Sequence, residues 1–180
     1  LGSAFLHEIV THRNAKDPGQ ILNELRAMIK TSLRQKQIQG ESKDGMDISL
    51  ITLTEDKKTL YFAGAYNSLY ISSQGEFKEI KGNRQPIAIY YEEENFSTKE
   101  IQIQKGDKFY LCSDGYQDQF GGEKGKKYMQ KKFKRLLFET SSMALERQRH
   151  EMIKVLTEWM VNKDQTWEQV DDITVLGIEI

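Results

Sequence analysis

Two short stretches place acids at the ends of apolar strands. "KFYLCSDGYQDQF", residues 108–120, carries Phe109, Leu111 and Cys112 and then breaks into Ser113-Asp114-Gly115, with Asp118 following. "QVDDITVLGIEI", residues 169–180, sets Asp171-Asp172 at the start of the last apolar run. If the two strands pair antiparallel, the exit of one lies beside the start of the other, and several carboxylates gather at one rim of a sheet. Like charges there repel and resist desolvation unless a cation sits between them. Oxygen ligands without a His or Cys cluster select Mg²⁺ or Mn²⁺ over zinc. The competing reading is structural: Asp-Gly as a turn and Asp-Asp as a solvated strand start. Spacing alone leaves both open.

The elements that would position these acids change character along the chain. Leu1, Phe5, Ile9 and Val10 have helical spacing over residues 1–11. Asp17-Pro18-Gly19-Gln20 is a helix start with an acidic cap, proline in the first turn and Gln three residues after the cap. Ile21, Leu22, Leu25, Met28, Ile29 and Leu33 then mark the buried face of a second helix. Residues 40–44 read as a loop. From Met46 the period becomes two, and "MDISLITL", "TLYFAGA", "LYISS", "EFKEI", "PIAIY", "TKEIQIQ" and "KFYLCS" read as short strands, punctuated by Gly75, Gly82, Pro86 and Gly106-Asp107. Helices are expected over about 127–139 and 143–161, and a strand closes the chain. Helices, a block of strands, helices and a final strand give an α+β class rather than alternating βαβ units.

The 180 residues suffice for one domain with a full core. With 38% hydrophobic and 29% charged residues and a net charge of −1, the chain is neither disordered nor a nucleic-acid binder by bulk charge. No apolar run approaches the roughly 20 residues that span a bilayer. The single Cys112 excludes an intrachain disulfide and a Cys-based zinc cluster and suits a reducing cytoplasm. In its strand it reads as a small hydrophobe.

Other signals take bland readings. "GGEKGKK", residues 121–127, misses the phosphate-loop spacing by one residue and has Lys127 where a hydroxyl belongs, so it reads as a flexible basic loop. The Lys-rich run from Lys124 to Arg135 reads as a solvated helix face, with steering of an acidic protein or nucleic-acid binding as sharper alternatives. His7, His12 and His150 lack ligand spacing. Met152, Leu156, Trp159 and Met160 form a core stripe, Glu92-Glu93-Glu94 a solvated acidic turn, and Trp167 packs over the last strand's start.

"GDKFYLCSDGYQDQFGG", "YFAGAYNSLYISSQGEFKEIKGNRQPIAIY" and the terminal "QVDDITVLGIEI" together resemble the bacterial SpoIIE/RsbU-type branch of the PPM (PP2C-like) serine/threonine phosphatases. The motifs occur in the family's order and cover essentially the whole chain; "GAYNSLY" departs from the family segment at Tyr66 and Ser68. The resemblance implies one domain over 1–180: a sandwich of two antiparallel β-sheets flanked by α-helices, with a binuclear Mn²⁺ or Mg²⁺ site at one end. It implies Asp114 and Asp171 as metal ligands, with Asp172 the competing choice, and Gly115 and Asp118 close to the site.

The family's first metal aspartate lies in a motif ahead of the first helix, whereas this sequence begins at "LGSAFLHEIV". The expectation is therefore a domain lacking its N-terminal strands and bridging acid, and inactive as given. The implied reaction is in-line attack of metal-activated water on phosphoserine or phosphothreonine of a regulatory protein of the anti-sigma-antagonist kind. The implied parent carries an upstream sensor, in the cytoplasm or at the cytoplasmic end of a membrane-attached receptor. No nucleic-acid partner and no membrane segment are expected. The alternative is a non-catalytic pseudophosphatase that binds a phosphoprotein.

Overall fold

A computed structural model describes residues 2–12, 16–33, 45–162 and 165–180. The chain divides into two compact units, Leu1–Leu69 with Glu79–Lys105, and Tyr70–Lys78 with Gly106–Ile180.

The first unit opens with α1 (Gly2–His7), which continues as a π-helical turn over Glu8–His12. Ile9 is buried there, whereas Val10 is exposed, so the expected apolar stripe turns away after Ile9. Leu1 and residues 40–44 lie outside the described residues. Helix α2 (Pro18–Ser32) starts as expected: Asp17 caps it, accepting from the Gln20 amide at 2.8 Å, a contact contributing about 1 kcal/mol. Gln20 reaches Glu24 instead of turning back, so only half of the capping box forms. Ile21, Leu22, Leu25 and Ile29 are buried against Ala63, Ala65, Ile87 and Phe96, each large aliphatic contributing about 1.5–3 kcal/mol. The sheet beneath α2 has the order β1 (Ile48–Leu53), β2 (Thr59–Ala65), β5 (Lys99–Gln102), with both pairings antiparallel.

"PIAIY" is not a strand. Ile87 makes one isolated bridge to Met46, and the surrounding loop is held by side chains. Arg26 donates to Gln85 Oε1 and the Glu94 carbonyl, while Gln85 donates to the same carbonyl and accepts from the Glu94 amide. Buried backbone groups need partners, and here side chains replace a ladder. The acidic turn is not simply solvated either, because both carboxylate oxygens of Glu93 accept from Lys30 Nζ at 2.8 Å.

The second unit is built on a four-stranded sheet in the order β11 (Val175–Glu179), β6 (Lys108–Cys112), β3 (Leu69–Ser73), β4 (Glu76–Ile80). Beyond the β6–β11 ladder the pairing continues at its far end: Gly106 N–H donates to the Ile180 carbonyl and Ile180 N–H to the Asp107 carbonyl. Helix α3 (Gly115–Asp118) follows β6, then a hairpin of β7 (Phe120–Gly121) and β8 (Lys126–Lys127), then α4 (Gln130–Thr140) and α5 (Leu145–Met160). A small hairpin, β9 (Val161–Asn162) with β10 (Gln165–Thr166), leads toward β11. Tyr70, Tyr110, Tyr116, Phe133, Leu137 and Met152 form the core of this unit, with Leu156 and Trp159 packed against it as the sequence stripe predicts. Tyr110 hydroxyl donates to Gln148 Oε1, and Gln148 donates to Thr140 Oγ1, so the buried polar groups between α4 and α5 are paired.

Candidate metal rim

Strands β6 and β11 are antiparallel, with Cys112 opposite Val175. This register carries Ser113 and Asp114 past the end of one strand to where the chain arrives from Asp171 and Asp172. The ladder extends one step through a side chain. Ser113 N–H donates to the Thr174 carbonyl at 3.0 Å, Thr174 N–H donates to Ser113 Oγ at 2.9 Å, and Ser113 Oγ donates to the Asp172 carbonyl at 2.8 Å. Gly115 completes the approach, since a Cβ there would lie 2.4 Å from the Asp172 carbonyl oxygen. Only glycine allows the two backbones so close.

Asp114, Asp171 and Asp172 are all exposed. Asp114 occupies the cap position of α3 in a helical conformation, φ −83° and ψ −11°, and its side chain makes no capping hydrogen bond. Asp171 Oδ1 accepts from the Asp172 amide at 2.7 Å. Asp118 turns to Lys127, with Oδ2 at 2.8 Å from Nζ, so its charge is already matched by a cation.

Buried Gln119 supports the arrangement and was not visible in the sequence, where a glutamine in "YQDQF" carries no burial signal. Its Nε2 donates to the Glu168 carbonyl at 2.8 Å and its Oε1 accepts from the Val170 amide at 3.4 Å, tying down the approach to Asp171. Trp167 packs on Gly125 of the β7–β8 turn. The rings of His7 and His12 meet edge to face with centroids 6.4 Å apart, and both are exposed.

The donors at this rim suit a hard divalent cation in kind, being carboxylate oxygens on a fixed backbone. They fall short in number: among the described residues no three or more His, Cys, Asp or Glu side chains gather into a metal-holding group. The rim thus brings the predicted acids together by backbone without completing a binuclear set.

The family model for Stage II sporulation protein E (SpoIIE) matches residues 3–180. The SiaA-PP2C domain of Pseudomonas aeruginosa is 28% identical with a TM-score of 0.83, and the match covers 100% of this chain and 68% of that one. The PP2C phosphatase domain of SpoIIE from Bacillus subtilis, with a fragment of its regulatory domain, is 15% identical with a TM-score of 0.67, covering 99% of this chain and 48% of that one. RsbX in complex with magnesium is 16% identical with a TM-score of 0.63, covering 98% and 71% respectively. Comparison with curated proteins gave no match. Antiparallel sheets with covering helices, an acidic rim at paired strand ends and a family match from residue 3 to residue 180 agree: the chain belongs to the SpoIIE family and has the α+β fold of PP2C phosphatase domains.

Proposed function

We propose that residues 1–180 form one serine/threonine protein phosphatase domain that acts in the cytoplasm on a phosphorylated regulatory protein and depends on Mn²⁺ or Mg²⁺. The observation that carries this reading is the meeting of Ser113-Asp114-Gly115 with Asp172 across the β6–β11 end, within a chain of the SpoIIE family. Magnesium in the related RsbX structure favours the same cation class. Asp114 and Asp171 would hold the ion, with Asp172 the competing ligand.

A cation bound there would supply positive charge toward phosphoryl oxygens and acidify water. The chain's own contribution is positional. Ser113 and Gly115 keep the two acidic segments in contact, and Gln119 holds the lead into Asp171. Cys112 takes no part as a nucleophile, because burial pushes its thiol up to about 12 and keeps it protonated.

Because the acids of the described rim do not gather three side chains into one metal-holding group, residues 1–180 alone are expected to bind Mn²⁺ weakly and to turn over little. The shortfall also supports a second reading, a pseudophosphatase that binds a phosphoprotein without hydrolysing it. Manganese-dependent hydrolysis of p-nitrophenyl phosphate, measured on this chain and on any longer protein carrying it, separates the two. Activity lost on Asp114→Asn supports the enzyme, and no activity in either form supports the binding module. Tight calorimetric binding of two Mn²⁺ ions by residues 1–180 would contradict the account of an incomplete rim.

A further inference from the structure

We propose that the β7–β8 hairpin and the first turn of α4 form a docking surface for the acidic stretch of the phosphoprotein, next to its phosphorylated residue. The inference rests on the phosphatase reading and names its substrate class.

Residues 122–135 contain seven Lys and Arg against one acid, Glu123, in a chain whose net charge is −1. Four of the seven, Lys134 among them, are engaged. Lys127 pairs with Asp118, Arg135 with Glu139, and Lys132 lies over the Trp159 ring at 4.0 Å. Lys124, Lys126 and Lys131 are exposed and have no acidic partner among the described residues. They form a local surplus of positive charge that the rest of the unit leaves unmatched.

The segment is not the loose basic loop that its sequence suggests. Tyr128 N–H donates to the Gln119 carbonyl at 2.9 Å and Met129 N–H to the Gln117 carbonyl at 2.7 Å. Gly125, at φ +53°, lies against the Trp167 ring where a side chain would clash. A surface held this way loses little freedom on binding. Met129 adds a second signal. It sits between the two basic stretches at φ +77° and ψ +141° and is 58% exposed. A non-glycine residue in that region is strained, and such strain gathers at binding and catalytic sites. Here it presents an apolar side chain among free ammonium groups.

The hairpin is also tied to the acidic rim. Asp118 N–H donates to the Asp114 carbonyl at 3.0 Å, and α3, about 6 Å long at 1.5 Å per residue, connects Asp114 to Gln119. That length equals about two residues of extended peptide. A phosphoresidue at the rim therefore sets its near neighbours over the hairpin, where aspartates and glutamates meet lysines and one apolar residue meets Met129. Nucleic acid shares the anionic chemistry, but Tyr128, the aromatic of this segment beside the cations, is buried edge-on against Tyr116 and Trp159 and offers no face for a base.

The test uses a fluorescein-labelled acidic phosphoserine peptide and p-nitrophenyl phosphate. The triple variant Lys124→Ala/Lys126→Ala/Lys131→Ala should weaken peptide binding by about tenfold, in a salt-sensitive manner, and raise KM for the peptide with kcat and p-nitrophenyl phosphate hydrolysis unchanged. Met129→Gly should raise thermal stability by relieving strain while weakening the peptide, a pairing that a purely structural Met129 would not give. Unchanged peptide affinity in the triple variant overturns the proposal, as does tighter binding of wild type to duplex DNA than to the peptide. If no form hydrolyses p-nitrophenyl phosphate but binding stays lysine-dependent, the phosphatase reading fails and the docking surface stands.

Discussion

Ser113 and Asp172, 59 positions apart, are joined by a 2.8 Å hydrogen bond from the serine hydroxyl to the aspartate carbonyl. The same hydroxyl accepts from the Thr174 amide. One oxygen therefore carries the β6–β11 pairing past its last ladder rung to the acids. Ser113→Ala should cost about 1 kcal/mol in chemical denaturation. Gly115→Ala, whose methyl would meet the Asp172 carbonyl at 2.4 Å, should cost about 1–3 kcal/mol and separate the acidic segments. A Gly115→Ala protein with wild-type stability and wild-type Mn²⁺ response would show that the close approach is unimportant.

Cys112 should be chemically quiet. It is half-buried and packs against the aromatic core of its unit, and burial lifts its thiol to about 12. At pH 8 that leaves about one thiolate in ten thousand. N-ethylmaleimide should react no faster than the protein unfolds, and Cys112→Val should keep whatever phosphatase activity the wild type has. Rapid labelling of the native protein would contradict this.

Lys30 and Glu93 make a pH-dependent contact in the first unit. Burial raises the Glu93 carboxyl, but the Lys30 and Tyr90 hydrogen bonds with the charges of Lys30 and Arg26 outweigh it, so its pKa lies below the ordinary 4.5. A depressed carboxylate contributes stability that is present above its unfolded value and lost as pH falls through its folded one. Lys30→Met should therefore lower stability at neutral pH by less than about 1 kcal/mol, and the difference should fade as pH falls below the ordinary 4.5 and through the depressed folded value. Thermal melts at neutral and at acid pH check it; an equal or larger gap in acid would refute the sign.

Local chemistry explains which features were legible beforehand. Asp17-Pro18 and the stripe from Ile21 to Ile29 specify α2 because the cap and the apolar period are short-range. The meeting of Ser113 and Thr174 was expected from two apolar runs with acids at opposite ends, and the register delivers it. "PIAIY" misled because its alternation resembles a strand, while the groups that satisfy its surroundings, Arg26 and Gln85, are remote or polar. The same limit hid Gln119 and the ordered β7–β8 hairpin, which depend on Trp159, Trp167 and Glu168 arriving from the far end of the unit. The aspartates, and the want of a bridging acid beside them, were nameable from the chain through its motifs, whereas the side-chain and backbone contacts that hold the acidic segments were not.

Ile180 is stitched to the Gly106-Asp107 turn, at the opposite end of the ladder from Ser113. Five residues of β11 intervene, about 17 Å at strand rise. An affinity tag or fluorophore fused after Ile180 would thus hang from the pole remote from the carboxylates, leaving them open to solvent for titration and imaging alike.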